Sequence, residues 1–101
     1  MFGTIMHFTP APGVSGDQVE RVGAVFQEKV RPKVPGAMLE LVGRCKDNPD
    51  QMVVVALVQD EATYRAMAEL PEMNEVFQQY RALMSSDPTW EDVEMEIAHQ
   101  D

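Results

Sequence analysis

The stretch that decides the fold is Met52-Val53-Val54-Val55-Ala56-Leu57-Val58, seven consecutive residues without a polar side chain. Such an apolar, β-branched run is typical of a central strand that is covered on both faces. Just before it, Asp47-Asn48-Pro49-Asp50 has the composition of a tight turn. Residues 37–46 and 51–59 are therefore predicted to be two strands that form a hairpin.

A strand is also predicted at each end of the chain. The first covers residues 2–9, which are rich in aromatic and β-branched side chains and stop at a proline–glycine turn. The last begins at Trp90, beyond which apolar and acidic residues alternate, as in an edge strand with one buried and one wet face. Because side chains alternate across a strand, the first strand is predicted to place Phe2, Thr4, Met6 and Phe8 on one face, and Ile5 and His7 on the other.

Two amphipathic helices are predicted between these strands. The first follows a cap at Ser15 or Asp17 and ends near Arg31, because Pro32 cannot continue it. The second follows Asp60, and Pro71 is expected to kink or restart it before a clear apolar stripe from residue 73 to residue 84. The order is β-α-β-β-α-β, so the fold class is α+β, with a ferredoxin-like, four-stranded antiparallel sheet in a single domain covering residues 1–101.

One face of this sheet has no predicted cover. Right-handed crossovers place both helices on the same side, so the opposite side would present a contiguous apolar patch, which is uncommon on monomers. A second copy packed sheet against sheet is the simplest cover, and a homodimer through this face is therefore predicted. The apolar residues expected on the uncovered face are Ile5, Leu39, Leu41, Val53, Val55 and Leu57.

The composition excludes several classes of partner. Seventeen acidic residues against eight basic ones give a net charge of −9, which opposes binding to nucleic acid and to anionic membranes. A single cysteine, Cys45, allows no internal disulfide and no cysteine-based zinc site. The N-terminal residues lack the features of a signal peptide, and no run approaches the ~18 apolar residues of a membrane span, so the predicted location is the cytoplasm.

Four segments, taken in order, resemble the antibiotic biosynthesis monooxygenase (ABM) family of the dimeric α/β-barrel superfamily. The resemblance covers nearly the whole chain. It implies a dimer in which two sheets close a barrel, with a pocket between sheet and helices, and activities that range from cofactor-free oxidation of aromatic polyketides to haem degradation. The segments are residues 2–13 with their proline–glycine turn, Val34-Pro35-Gly36-Ala37, the part from Asn48-Pro49-Asp50 to Tyr64, and the part from Leu70-Pro71-Glu72 to Trp90.

Three positions depart from the family pattern. Many members carry a tryptophan where this chain has Val58, and the haem-degrading relatives carry an asparagine and a histidine where Met6 and Phe77 stand here. Without an imidazole to ligate the iron, haem degradation is not expected, and no cofactor is predicted. The same replacements weaken the case for an oxygenase, since an indole and a nearby polar residue are expected to orient and deprotonate a phenolic substrate.

Two functional hypotheses remain open. The first is a cofactor-independent monooxygenase acting on a small hydrophobic aromatic compound, with Tyr64 and His7 as catalytic polar anchors, because a phenol can donate a hydrogen bond and an imidazole titrates near neutrality. The alternative is a non-catalytic dimer that binds a small ligand or scaffolds a partner. No metal site is predicted, because the acids of the last strand alternate between faces without a nearby histidine. The residues predicted to shape the ligand pocket are Met6, Phe8, Val58, Met73, Phe77 and Trp90.

Overall fold

The computed structural model describes residues 1–101 as an open four-stranded sheet with three α-helices. The predicted α+β class and ferredoxin-like element order are confirmed, with the second predicted helix divided in two. No helix has the length and apolar character needed to span a bilayer. The strands are β1 (Phe2–Phe8), β2 (Met38–Arg44), β3 (Met52–Val58) and β4 (Thr89–Glu94), and the helices are α1 (Gly16–Lys29), α2 (Glu61–Ala68) and α3 (Pro71–Arg81).

The two most apolar strands lie at the centre of the sheet. The strand order is β2-β3-β1-β4, and every neighbouring pair is antiparallel. The register pairs Phe2 with Val58 and Met6 with Val54, and these four side chains point toward the helices, where each is at most 9% exposed. The predicted alternation of β1 is therefore confirmed. Gly3 of β1 lies so close to the Ala56 carbonyl that a β-carbon would collide with it, which requires glycine there.

Side-chain acceptors and prolines set the helix boundaries. At the start of α1, the Gln18 side-chain oxygen accepts a hydrogen bond from the Ser15 N–H at 2.8 Å. After α1, a short 3₁₀ turn contains Pro32. Pro71 produces a complete break, with α2 ending at Ala68 and α3 beginning at the proline itself. Proline is favoured at a first helical position because its missing N–H would have no partner there.

Strand β4 is shorter than its sequence alternation predicts. It ends at Glu94 because its partner strand begins at Phe2, and only one further exchange of backbone hydrogen bonds follows, between Met1 and Met95. The register pairs Gly3 with Val93, so Val93 lies on the side of the sheet away from the helices. Val93 shares that side with Thr89 and Glu91, whereas Trp90 lies on the helix side, so the buried face predicted for this strand has no cover within the chain.

The uncovered face carries the apolar residues that the sequence predicted. Leu39 is 44% exposed and Leu41 is 52% exposed, while Ile5, Val53 and Val55 are half-buried. Leu57 was also predicted to be exposed on this face, but the rest of the chain buries it, and only 5% of its surface is exposed. Within one chain the sheet stays open, so a closed barrel would need a second copy.

Candidate functional site

A cavity of about 380 Å³ lies between the sheet and the pair α2 and α3. Its floor is the helix-facing side of the sheet, where Ala56 and Thr4 are neighbours in one row and Val54 and Met6 in the next. The short side chains of Ala56 and Thr4 leave space that a larger residue would fill. The volume falls at the lower end of the range of about 300–1,000 Å³ that is typical of small-molecule sites.

The walls and roof of the cavity are largely aromatic and methionine side chains. Apart from Thr4, Glu40 and Asn74, every lining residue is hydrophobic, as expected of a site for an apolar ligand. The flexible thioethers of the methionines can repack around irregular shapes. The hydrophobic lining contributed by the helices comprises Phe26 from α1, Tyr64, Met67 and Ala68 from α2, and Met73, Phe77 and Tyr80 from α3.

Tyr64 stands at the β4 end of the cavity in a polar cluster. Its hydroxyl donates to the Asp92 carboxylate at 3.3 Å, and the Arg65 guanidinium lies 3.8 Å from the same carboxylate. The Arg65 guanidinium also lies 5.6 Å from the centre of the Tyr64 ring. Burial raises the pKa of the Tyr64 phenol, and the charge on Asp92 raises it further. The phenol is therefore protonated near neutral pH and can serve as a hydrogen-bonding anchor, not as a base.

Trp90, with Phe77 packed against it, lies where the wall of the cavity meets solvent. Their ring centres are 5.6 Å apart with the planes tilted at 44°, an arrangement that favours aromatic contact. Trp90 is 51% exposed although it lines the cavity, so one side of the indole faces solvent and the other faces the interior.

The opposite end of the cavity holds two polar groups that come from distant parts of the sequence. Glu40 projects from β2 and Tyr80 from α3, and both line the cavity. Burial raises the pKa of the Glu40 carboxyl, while the neighbouring Gln27 side chain opposes the shift. One feature of the sequence could have indicated the position of Glu40, which stands between two leucines of a strand. When Leu39 and Leu41 face away from the helices, alternation places Glu40 beneath them.

The structure brings together most of the site residues that the sequence predicted. Two others, Phe8 and Val58, are at most 3% exposed and pack in the core without lining the cavity. His7 pairs with Val53 and Thr89 on the uncovered face, so the sheet separates it from Tyr64. Within one chain, His7 and Tyr64 therefore cannot contact the same small ligand. The predicted residues that line the cavity are Met6, Tyr64, Met73, Phe77 and Trp90.

Comparisons with known proteins identify the fold. No protein-family model matches the sequence, and no curated protein is recognisably similar to it. Among solved structures, a protein from Caulobacter crescentus described as a candidate antibiotic biosynthesis monooxygenase has a TM-score of 0.74 at 17% identity, covering 94% of this chain and 89% of that chain. A similarly described protein from Chloroflexus aurantiacus has a TM-score of 0.66 at 17% identity, with 98% and 96% covered.

Rv0793 from Mycobacterium tuberculosis is similar over a comparable length. Its TM-score is 0.67 at 14% identity, covering 97% of this chain and 98% of that chain. At such identities the likeness establishes a shared fold, which extends over nearly the whole of each chain. The resemblance predicted from the sequence is thus confirmed at the level of the fold.

Proposed function

We propose that the chain is a member of the antibiotic biosynthesis monooxygenase family, and that each subunit of a homodimer binds a small hydrophobic aromatic compound. The observation that carries this proposal is the cavity between sheet and helices, which is open at Trp90 and lined by aromatic and methionine side chains. Rings from α1, α2, α3 and β4 can stack on a planar ligand in tilted or offset arrangements. The shared fold supports the family assignment without identifying the ligand.

The proposed dimer forms through the uncovered face of the sheet. Leu39 and Leu41 lie side by side with the half-buried Val55 and Ile5 on this face, and a second sheet would remove them from water. Contiguous apolar surface of this kind generally marks an interface. His7 lies on the same face, so in the dimer it would be an interface residue and not a partner of Tyr64.

The proposed activity is oxygenation without a cofactor. The substrate must then supply the electrons itself: a methylene carbon gives up its two hydrogens, one oxygen atom of O₂ becomes a carbonyl on that carbon, and the other leaves as water. Tyr64 would anchor the substrate by a hydrogen bond at the β4 end of the cavity, in exchange for its present bond to Asp92.

The second candidate function is ligand binding without chemistry. It is favoured by the lack of an obvious base at Tyr64, whose phenol is held in the protonated state and donates to a carboxylate already close to Arg65. A dimer of this kind would sequester an apolar compound or present it to another protein.

Oxygen uptake with a panel of hydroxylated aromatic compounds tests the two functions. We expect uptake with the wild-type protein and a decrease of about tenfold in Tyr64→Phe, the loss of roughly one productive hydrogen bond. Glu69→Gln is the matched control, because Glu69 is exposed at the end of the same helix and does not line the cavity. Binding of panel members without uptake would support the non-catalytic function, and no binding of any member would contradict the proposed ligand class.

A further inference from the structure

Tyr80 carries a buried hydroxyl that has no hydrogen-bond partner. The residue is only 4% exposed, and its oxygen neither donates to nor accepts from any group of the chain. Most buried polar groups in proteins are paired, so an unpaired one at a cavity wall calls for an explanation. Because Tyr80 lines the cavity, a bound molecule could supply the missing partner.

Glu40 lies at the same end of the cavity and is also without a charged partner. No lysine, arginine or histidine forms an ion pair with its carboxylate. Burial raises the pKa of Glu40, and the pKa of Tyr80 is raised by burial and then by the charge of Glu40, so the two groups lie close enough to influence each other.

Gly23 of α1 lies beside both groups and sets an upper limit on the distance between them. A β-carbon built at Gly23 would lie 3.4 Å from Oε1 of Glu40 and 3.6 Å from the Tyr80 hydroxyl. The two oxygens are therefore at most the sum of these distances apart, 7.0 Å, and they are not hydrogen-bonded to each other. One polar atom can hydrogen-bond to both oxygens when they lie within about 6 Å of each other, and this upper limit allows such a separation.

We propose that Tyr80 and Glu40 form a polar subsite that binds a neutral hydroxyl group at the inner end of an apolar ligand. The inference rests on the proposed ligand-binding function of the cavity and specifies which ligands it selects. A hydroxyl can accept a hydrogen bond from Tyr80 and donate one to the Glu40 carboxylate at the same time.

Other common polar groups satisfy the pair less well. A ketone or ether oxygen accepts from Tyr80 but offers nothing to Glu40, and an ammonium donates to Glu40 but leaves the Tyr80 O–H without an acceptor. A ligand carboxylate beside Glu40 would either be repelled by its charge or require Glu40 to take up a proton, and both outcomes weaken binding in a site with little water. The pair therefore favours alcohols over amines and acids of the same shape.

A matched set of four naphthalene derivatives, substituted at one ring position, tests this selection by equilibrium dialysis against the full-length protein. Naphthylmethanol, ethylnaphthalene, naphthylmethylammonium and naphthoate share one skeleton and differ mainly in the terminal group. We expect naphthylmethanol to bind about tenfold more tightly than ethylnaphthalene, the effect of one or two added hydrogen bonds, and more tightly than the two charged compounds.

Three variants identify the groups responsible. Tyr80→Phe should reduce the preference for naphthylmethanol over ethylnaphthalene to about twofold, and Glu40→Gln should increase the affinity for naphthoate about tenfold by removing the repulsion. Gln78→Ala is the control, because Gln78 lies on the same helix as Tyr80 but is exposed and does not line the cavity. It should retain the wild-type preference.

The outcomes separate this inference from the function on which it rests. Equal binding of naphthylmethanol and ethylnaphthalene, or tightest binding of the ammonium, would overturn the subsite while leaving an apolar ligand cavity in place. An unchanged preference in Tyr80→Phe would overturn it as well. Failure of all four compounds to bind would overturn the proposed ligand-binding function, and the subsite with it.

Discussion

Tyr64 and Tyr80 are the two tyrosines of the chain, and they face different ends of one cavity. The Tyr64 hydroxyl is bonded to Asp92 and partly exposed, whereas the Tyr80 hydroxyl is buried and unpaired. The same functional group therefore contributes differently at the two sites. At Tyr80 the fold gives up stability to keep a hydrogen-bonding group in an apolar space, as is common where a protein binds a ligand.

Removing the Tyr80 hydroxyl should stabilise the ligand-free protein. An unsatisfied buried polar group costs about 1–3 kcal/mol, so Tyr80→Phe is expected to raise the free energy of unfolding by about 1 kcal/mol. Urea unfolding at a fixed protein concentration measures the change. Tyr64→Phe is the matched comparison, and its loss of a paired hydroxyl should lower stability or leave it unchanged. A clear loss of stability in Tyr80→Phe would mean that its hydroxyl has a partner.

Of the helices and strands, α2 shows most directly how a local sequence feature positions a residue of the cavity. Its first turn is fixed by Asp60, whose carboxylate oxygen accepts from the Thr63 N–H at 2.8 Å. Tyr64 follows in the same turn, so this cap helps to set where the phenol projects over the cavity. The bond to the Thr63 N–H holds the pKa of Asp60 below its ordinary value of 3.8.

Loss of this cap should lower the melting temperature in a pH-dependent way. A carboxyl whose pKa is lowered by folding stabilises the native state above its ordinary value of 3.8 and loses this effect as the pH falls through the native value. We expect Asp60→Ala to melt a few degrees below wild type at neutral pH, with the difference shrinking on acidification. Asp60→Asn retains an acceptor oxygen, so its melting temperature should fall less than that of Asp60→Ala. Equal melting temperatures at neutral pH in all three proteins would contradict the role of Asp60 as the cap of α2.

The elements were largely predictable because each strand and helix has its own local signal. The unbroken apolar run of β3 indicated a central strand, and Pro71 indicated the break between α2 and α3. The end of β4 was not predictable, because it depends on where β1 begins to pair with it. The polar end of the cavity was missed for a similar reason: Glu40 on β2 and Tyr80 on α3 are far apart in the sequence, and only the packing of the helices on the sheet brings them together.

The whole molecule combines a covered face that holds a cavity with an uncovered face that remains apolar. Alternation in the strands assigns each residue to one face, so the sequence already places His7 on the uncovered face, away from the helix that carries Tyr64. Packing a second copy against the uncovered face would bury Leu41 and its neighbours and leave the cavity of each subunit accessible from its own opening at Trp90. One sheet surface would thus serve assembly, and the other would serve binding.

Sedimentation equilibrium at micromolar concentration tests most directly whether the uncovered face of the sheet forms a dimer. The wild-type protein should have twice the chain mass of 11.3 kDa. Leu41→Asp, which places a charge on the uncovered face, should sediment as a monomer. Val42→Asp is the matched control, because Val42 is the next residue of β2, is 38% exposed and points to the helix side, so this variant should remain dimeric. A wild-type protein that sediments as a compact monomer of 11.3 kDa would contradict the account.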